Sequence, residues 1–296
     1  MVDARTIKYT TKYQSSKTFG GLQMAISEKI ELLGKGLYKD VDIPDVLTLK
    51  SIPTASELDY VGGEDFIATM LDVIFPKAIE EKINFHALLE IDFQWICRAL
   101  RILNYGPYYT TNAIFCGKCD EVSRGEYQVD LRSVEVKTLP DGFDNNIVVS
   151  KDEFIDFDGD IVLKLPTIQD MINANNDKLF VMPNGDKSSE LARMCYMIKS
   201  IKGEKNMTAA DIKFKIQNNL SDADFKILKA VVNDLTDYGL RAGGTTVCPK
   251  CGSGEAAFIA LVDDRFFRPT LGNLRSWKAD RSAAKSSGPA TGNSKN

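Results

Sequence analysis

The stretch Ile91-Asp92-Phe93-Gln94-Trp95-Ile96-Cys97-Arg98-Ala99-Leu100-Arg101-Ile102-Leu103-Asn104-Tyr105-Gly106, running on to Cys116-Gly117-Lys118-Cys119, decides how this chain is read. Ile96, Ala99, Leu100 and Leu103 fall at i, i+3, i+4 and i+7, the spacing of a helix with one buried stripe. Gly106 and Pro107 stop that helix. β-forming residues from Tyr108 to Phe115 follow, and a Cys-x-x-Cys pair closes the segment. The same plan returns downstream: Asp224-Phe225 answers Asp92-Phe93, Tyr238-Gly239 answers Tyr105-Gly106, and Cys248-Pro249-Lys250-Cys251 answers the first pair. Asp92 precedes Cys116 by 24 positions, and Asp224 precedes Cys248 by 24. At the shared offset of 132, Ile96 matches Leu228, Ala99 matches Val231, Leu100 matches Val232 and Leu103 matches Leu235. The expected fold class is α+β: two pseudo-repeated helix-plus-knuckle units about a pseudo-twofold axis, with a mixed α/β region inserted.

Each unit brings two thiolates, and together they complete a tetrahedral site. Cys116, Cys119, Cys248 and Cys251 are therefore the expected ligands of one structural zinc ion. The two-residue spacing lets both sulfurs of a pair reach one ion while intervening amides hydrogen-bond to them. Gly117 and Gly252 suit the tight backbone of such a knuckle. Six cysteines in 296 residues form no dense disulfide framework, and in a reducing compartment paired Cys-x-x-Cys motifs favour a metal. Two competing readings are thioredoxin-like redox pairs and a lost site with four reduced thiols. A redox pair opens a helix, whereas each pair here follows a β-like run. Cys97 and Cys195 sit in apolar helical contexts and read as small core residues.

Outward from these units, the spacing of Leu22, Ile26 and Ile30 predicts a short helix over Gly21–Leu33, and Val46–Leu49 reads as a strand. A helix is expected from Glu64 to Glu81, with Pro76 breaking or kinking it. Further strands are expected near Tyr127–Val136 and Ile161–Leu165, and a helix over Thr167–Asn173. Thr208–Asp211 and Ser221–Asp224 resemble capping boxes. The expected divisions are an N-terminal arm and short helix (1–44), the first helix-plus-knuckle unit (45–131), an inserted region (132–206), the second unit (207–274) and a disordered basic tail (275–296).

Hydrophobic residues make up 44% and charged residues 26%, with a formal net charge of −4. The balance is uneven. Residues 275–296 carry five basic residues and one acid, a net of +4, so residues 1–274 carry −8. Such a body gives no overall attraction to nucleic acid or an anionic membrane. No apolar run approaches the ~20 residues of a membrane span, and an N-terminus without an apolar signal core leads us to expect no export. His86, the single histidine, has no partner placed by a motif. Gly62-Gly63-Glu64-Asp65 reads as a loop into a helix N-terminus, and Asp156-Phe157-Asp158-Gly159-Asp160 as a turn between strands rather than a calcium loop. No P-loop, dinucleotide fingerprint or nucleophile elbow is present in the sequence, so a non-enzymatic role is expected.

The run Ile91 to Tyr109, followed by Cys116-x-x-Cys119 and Val129-Asp130-Leu131, resembles the T4-type phage baseplate hub assembly protein family. Asp237-Tyr238-Gly239, Cys248-Pro249-Lys250-Cys251-Gly252 and Phe266-Phe267-Arg268-Pro269 are similar to that family's C-terminal half. The resemblance spans roughly residues 45–275 and implies a tail-morphogenesis chaperone whose partners are baseplate hub or tape-measure proteins. It also implies action in the host cytoplasm during phage assembly, zinc-knuckle cysteines that stabilise the fold, and no catalytic residues. Two alternatives are a permanent structural subunit of the virion baseplate and a zinc-ribbon nucleic-acid-binding accessory protein.

Overall fold

The computed structural model describes residues 27–52, 65–240, 243–254, 256–259, 264–267, 272 and 275–279. The expected arm at 1–20 and the tail beyond 279 lie outside the described residues, whereas residues 275–279, expected as the start of a disordered tail, are helical and pack Trp277 on Gly106. Helices and small antiparallel sheets are mixed throughout.

The described chain begins with a hairpin in which β1 (Ser27–Glu31) pairs antiparallel with β2 (Val46–Lys50), Ile30 opposite Leu47. Of the helix expected over Gly21–Leu33, the residues described at Ser27–Glu31 form a strand, and Leu32 and Leu33 lead into a turn. Alternation decides it: Ile30 is buried between exposed Lys29 and Glu31, and pairing with β2 rewards that pattern over a four-residue spacing. The division expected at 44/45 falls between the two strands of this hairpin. The expected strand at Val46–Leu49 is present.

Asp65 caps α1 (Phe66–Thr69), its carboxylate accepting from the Ile67 and Ala68 amides, and the helix runs through a π turn (Met70–Ile74) into α2 (Phe75–Ala78). The Phe75 amide reaches back to the Met70 carbonyl. Pro76, without an amide hydrogen, comes next. The widened turn carries the helix past a residue that would otherwise break it.

At the centre lies α3 (Glu90–Tyr105), which buries side chains on every side. A helix buried all round must satisfy its polar groups internally. Trp95 Nε1 donates to the Glu31 carbonyl at 3.1 Å. Arg98 donates twice to the Leu131 carbonyl, at 2.9 and 2.7 Å. Arg101 donates to the carbonyls of Phe266, Gly106 and Tyr108 at 2.7, 2.8 and 2.8 Å. Burial lowers the Arg101 pKa to about 10, which leaves it charged at neutral pH. Gly106, at φ +81°, ends the helix, and the Trp277 side chain lies where a Cβ would project.

Beyond it come β3 (Tyr108–Cys116), β4 (Glu121–Asp130), β5 (Val136–Lys137), β6 (Ile147–Val149), β7 (Ile161–Leu163), α4 (Ile168–Asn176), α5 (Ser189–Met197), β8 (Ile198–Ile201) and β9 (Glu204–Lys205). Then follow α6 (Ala209–Asn219), α7 (Asp222–Thr236), β10 (Gly239–Leu240), β11 (Gly243–Thr246) and β12 (Ala256–Ile259). One four-stranded sheet is ordered β6-β7-β8-β9, the other β11-β12-β3-β4. In the second sheet two hairpins lie side by side, β12 against β3 with Ala257 opposite Phe115. A twofold axis along the strands would set like strands together at the junction. The observed order is first, second, first, second, so the expected pseudo-twofold does not describe these hairpins.

Asp92 and Asp224 each occupy the third position of a helix, and both are fully buried. Asp92 accepts from the Leu33 amide at 2.6 Å, the Gly34 amide at 3.2 Å and the Tyr38 hydroxyl at 2.5 Å. Asp224 accepts from the Ile155 and Asp156 amides at 2.6 and 3.2 Å and from the Ser221 hydroxyl at 2.9 Å. Each carboxylate thereby pins the loop of a distant hairpin, β1–β2 in one case and β6–β7 in the other. The capping box at Thr208–Asp211 is complete. At Ser221–Asp224 the carboxylate is committed to the β6–β7 loop, so only the hydroxyl half of the box caps the backbone.

Burial raises the Asp92 carboxyl to about 6, against the pull of the Tyr38 hydroxyl and the Gly34 and Leu33 amides. An aspartate with ordinary exposure titrates at 3.8. The folded state therefore holds this proton more tightly, and the group's contribution to stability is greatest below the lower value and is lost as pH rises through the higher. Two pH units at ~1.4 kcal/mol each make that loss about 3 kcal/mol. Urea unfolding followed from pH 4 to pH 7 is expected to show this decline in the wild type, and Asp92→Asn to remove that part of the slope.

Candidate metal centre

β3 ends in Cys116, which pairs with Glu121 at the start of β4, so residues 117–120 form the tip of a hairpin. Asp120 turns that tip with φ +49°. In the second segment the Gly252 amide donates to the Cys248 carbonyl at 2.9 Å, the Cys248 amide donates to the Ser253 carbonyl at 2.7 Å, and Gly252 has φ +69°. The left-handed residue thus stands four positions after the first cysteine in both turns. Gly117, expected to relieve the first turn, is not the residue that adopts this conformation. Asp120 does, and aspartate tolerates it better than most side chains.

Because β12 lies beside β3, both tips project from the same end of the sheet and the four cysteines converge. All four sulfurs lie within 4.8 Å of one another. Cys116 Sγ is 3.6 Å from Cys251 Sγ, and Cys119 Sγ is 3.8 Å from Cys248 Sγ. Cys116 and Cys248 are buried, Cys119 is half-buried and Cys251 is exposed. The Cys251 and Lys250 amides directed at its sulfur bring the Cys248 thiol down to about 7, whereas burial pushes Cys119 up to about 12 and the Cys251 thiol is also raised, so the backbone favours a thiolate at Cys248 in particular. This cluster can hold a metal ion.

Cys97 and Cys195 lie buried in α3 and α5, away from this cluster, as expected of core residues. His86 stands 3.7 Å from Asp72 through Nε2 and takes no place in the sulfur cluster. Asp156, Asp158 and Asp160 lie in the β6–β7 connection, where Asp160 accepts the Lys151 amide at 2.8 Å. That connection is the turn between strands that the sequence suggests. Asp65 caps its helix as expected, while Gly62, Gly63 and Glu64 lie outside the described residues. No helix among the described residues is long and apolar enough to cross a membrane.

Sequence reasoning missed the exposed apolar residues next to the cysteines. Phe115 and Val122 face each other across β3 and β4 at 45% and 60% exposure, and Val247, just before Cys248, is 63% exposed. Alternation in β3 carried the signal: with Cys116 and Ile114 turned inward, Phe115 has to point out.

No protein-family model, curated protein or solved structure matches this chain.

Purified protein is expected to carry one equivalent of metal per chain by elemental analysis. Cys248→Ser is expected to lose that metal together with several degrees of melting temperature, since three sulfurs cannot close a four-sulfur site. Unchanged metal content in the variant would sink the shared site.

Proposed function

We propose that the four cysteines hold one structural zinc ion, and that the protein is a non-enzymatic assembly factor for the baseplate hub of a contractile phage tail. The metal reading is carried by the sulfur spacing. Zinc–sulfur bonds of about 2.3 Å at tetrahedral angles put ligand sulfurs about 3.8 Å apart, and the two cross-tip contacts measure 3.6 and 3.8 Å. Four protein ligands leave no open coordination position, so the ion is structural rather than a seat of chemistry. Iron also accepts four thiolates tetrahedrally. The mixed burial of the cluster, with Cys251 exposed, suits an ion whose loss and uptake solvent can reach.

The assembly reading rests on the resemblance of the run Ile91–Tyr109, the two cysteine pairs and Phe266–Pro269 to the baseplate hub assembly family. In this protein that run supplies α3 and its stop, and the Phe266 carbonyl receives Arg101. The resembling residues therefore belong to one packed framework. We also propose that the two halves are copies of one unit, extended upstream from the helix and knuckle to a hairpin pinned by the helix's buried aspartate. The paired roles of Asp92 and Asp224 support this extension.

Cobalt exchanged into the site is expected to give the intense visible bands of a tetrahedral tetrathiolate, and elemental analysis to find zinc rather than iron in protein purified under reducing conditions. Quantitative mass spectrometry of phage particles against infected-cell lysate, normalised to tail-tube protein, tests the assembly role. Abundance in lysate with near absence from particles is expected. A fixed ratio in particles would make the protein a permanent baseplate subunit instead.

A further inference from the structure

We infer that the sulfur cluster is also a thiol–disulfide switch, whose oxidised form is stapled across the two hairpin tips by Cys116–Cys251 and Cys119–Cys248 bonds. The inference rests on the metal reading above for what the switch releases, and on the sulfur geometry alone for how it pairs. Two sulfur contacts, at 3.6 and 3.8 Å, join one tip to the other and share no cysteine, so both bonds can form in the same molecule, while the in-tip sulfurs lie within 4.8 Å. Each contact also couples an accessible sulfur to a buried one: exposed Cys251 with buried Cys116, and half-buried Cys119 with buried Cys248. A small oxidant reaches the accessible member, and the buried member resolves it.

The co-reactant is a hydroperoxide. With an ion bound, all four sulfurs would be held as thiolates; the accessible one attacks one peroxide oxygen, breaks the O–O bond and becomes a sulfenic acid, releasing hydroxide. The buried thiolate then attacks that sulfur, forms the S–S bond and displaces a second hydroxide. Each pair loses two electrons and reduces one peroxide. Two peroxides and four protons therefore convert four thiolates into two disulfides and four waters. With no thiolate left to donate, the metal is released. The sulfurs need to close from contact distance to about 2.05 Å. The pairing of β12 with β3 already holds the tips side by side for that closure.

The sequence supplies a direct readout, because Lys118 and Lys250 stand between the cysteines of each pair. Trypsin cuts after both, so the four cysteines fall on four peptides: 102–118, 119–124, 242–250 and 251–265. Full-length protein of measured zinc content is titrated with hydrogen peroxide, released zinc is read with a chromogenic chelator, and non-reduced tryptic peptides are mapped by mass spectrometry. Expected are complete zinc loss at two peroxides per chain, peptide 102–118 joined to 251–265, peptide 119–124 joined to 242–250, and full rebinding after dithiothreitol and zinc. Peptide 102–118 joined to 119–124, sulfinic acids in place of disulfides, or retention of zinc would overturn the switch. The Cys116→Ser/Cys251→Ser double variant is expected to retain one disulfide, on peptides 119–124 and 242–250. In-tip pairing would leave that variant with none. Protein purified without metal would contradict the zinc reading, yet its peptide map still decides the pairing, so the two ideas fail separately.

Discussion

The approach of β12 to β3 is the constraint on which the rest of this structure turns. Cys116 and Cys251 are 135 positions apart in the chain, and their sulfurs meet only because those two strands are neighbours. Closing so long a loop costs conformational entropy that grows slowly with length. Four backbone-positioned thiols at the end of one sheet offset that cost once an ion binds them. Even side by side, the two hairpins leave Phe115, Val122 and Val247 exposed on a small sheet. Joined at the tips, they become a single platform.

A second layer of order comes from α3, whose polar side chains face inward instead of out. Asp92, Arg98 and Arg101 are each buried and each bound to backbone groups of a different segment. Charged side chains normally avoid such places. Here they act as fixed donors and acceptors for backbone outside their own helix: the β1–β2 connection, Leu131 just after β4, the start of β3 and Phe266. Gly34 and Gly239 complete the fit, because a Cβ at either would collide with Asp92 or with Ile91. The loops are thereby specified by polar contacts and close packing together.

Much of this could be read from the chain before any coordinates. The α3 stripe, its stop at Gly106, the two cysteine pairs and the capping box at Thr208 announce themselves through local spacing, and local spacing is what sequence patterns encode. Ser27–Glu31 was legible only as a weak helix, because its strand character depends on a partner strand that begins at Val46. Ser27 stands opposite Lys50 at one end of that pairing, and Glu31 opposite Val46 at the other. The π turn before Pro76 was hidden for a similar reason: a proline signals disruption but does not say which turn absorbs it. Asp92 and Asp224 were recognised as equivalent positions, yet an acid in the first helical turn ordinarily reads as a partner for the helix dipole. Their long-range role needs loops that lie 58 and 68 positions away, at Gly34 and Asp156.

The placing of Trp277 over Gly106 and of Phe266 against Arg101 also orders events in time. A ribosome delivers the first hairpin tip with two thiols and no counterpart, and the last of the three carbonyls that receive Arg101 arrives some 165 residues after the guanidinium itself. Until then the guanidinium has only the nearby Gly106 and Tyr108 carbonyls, and the β3 edge stands bare. The nascent chain therefore cannot finish its interior piecemeal from the N-terminus; late-arriving residues close it, and the four sulfurs come together at the same final stage.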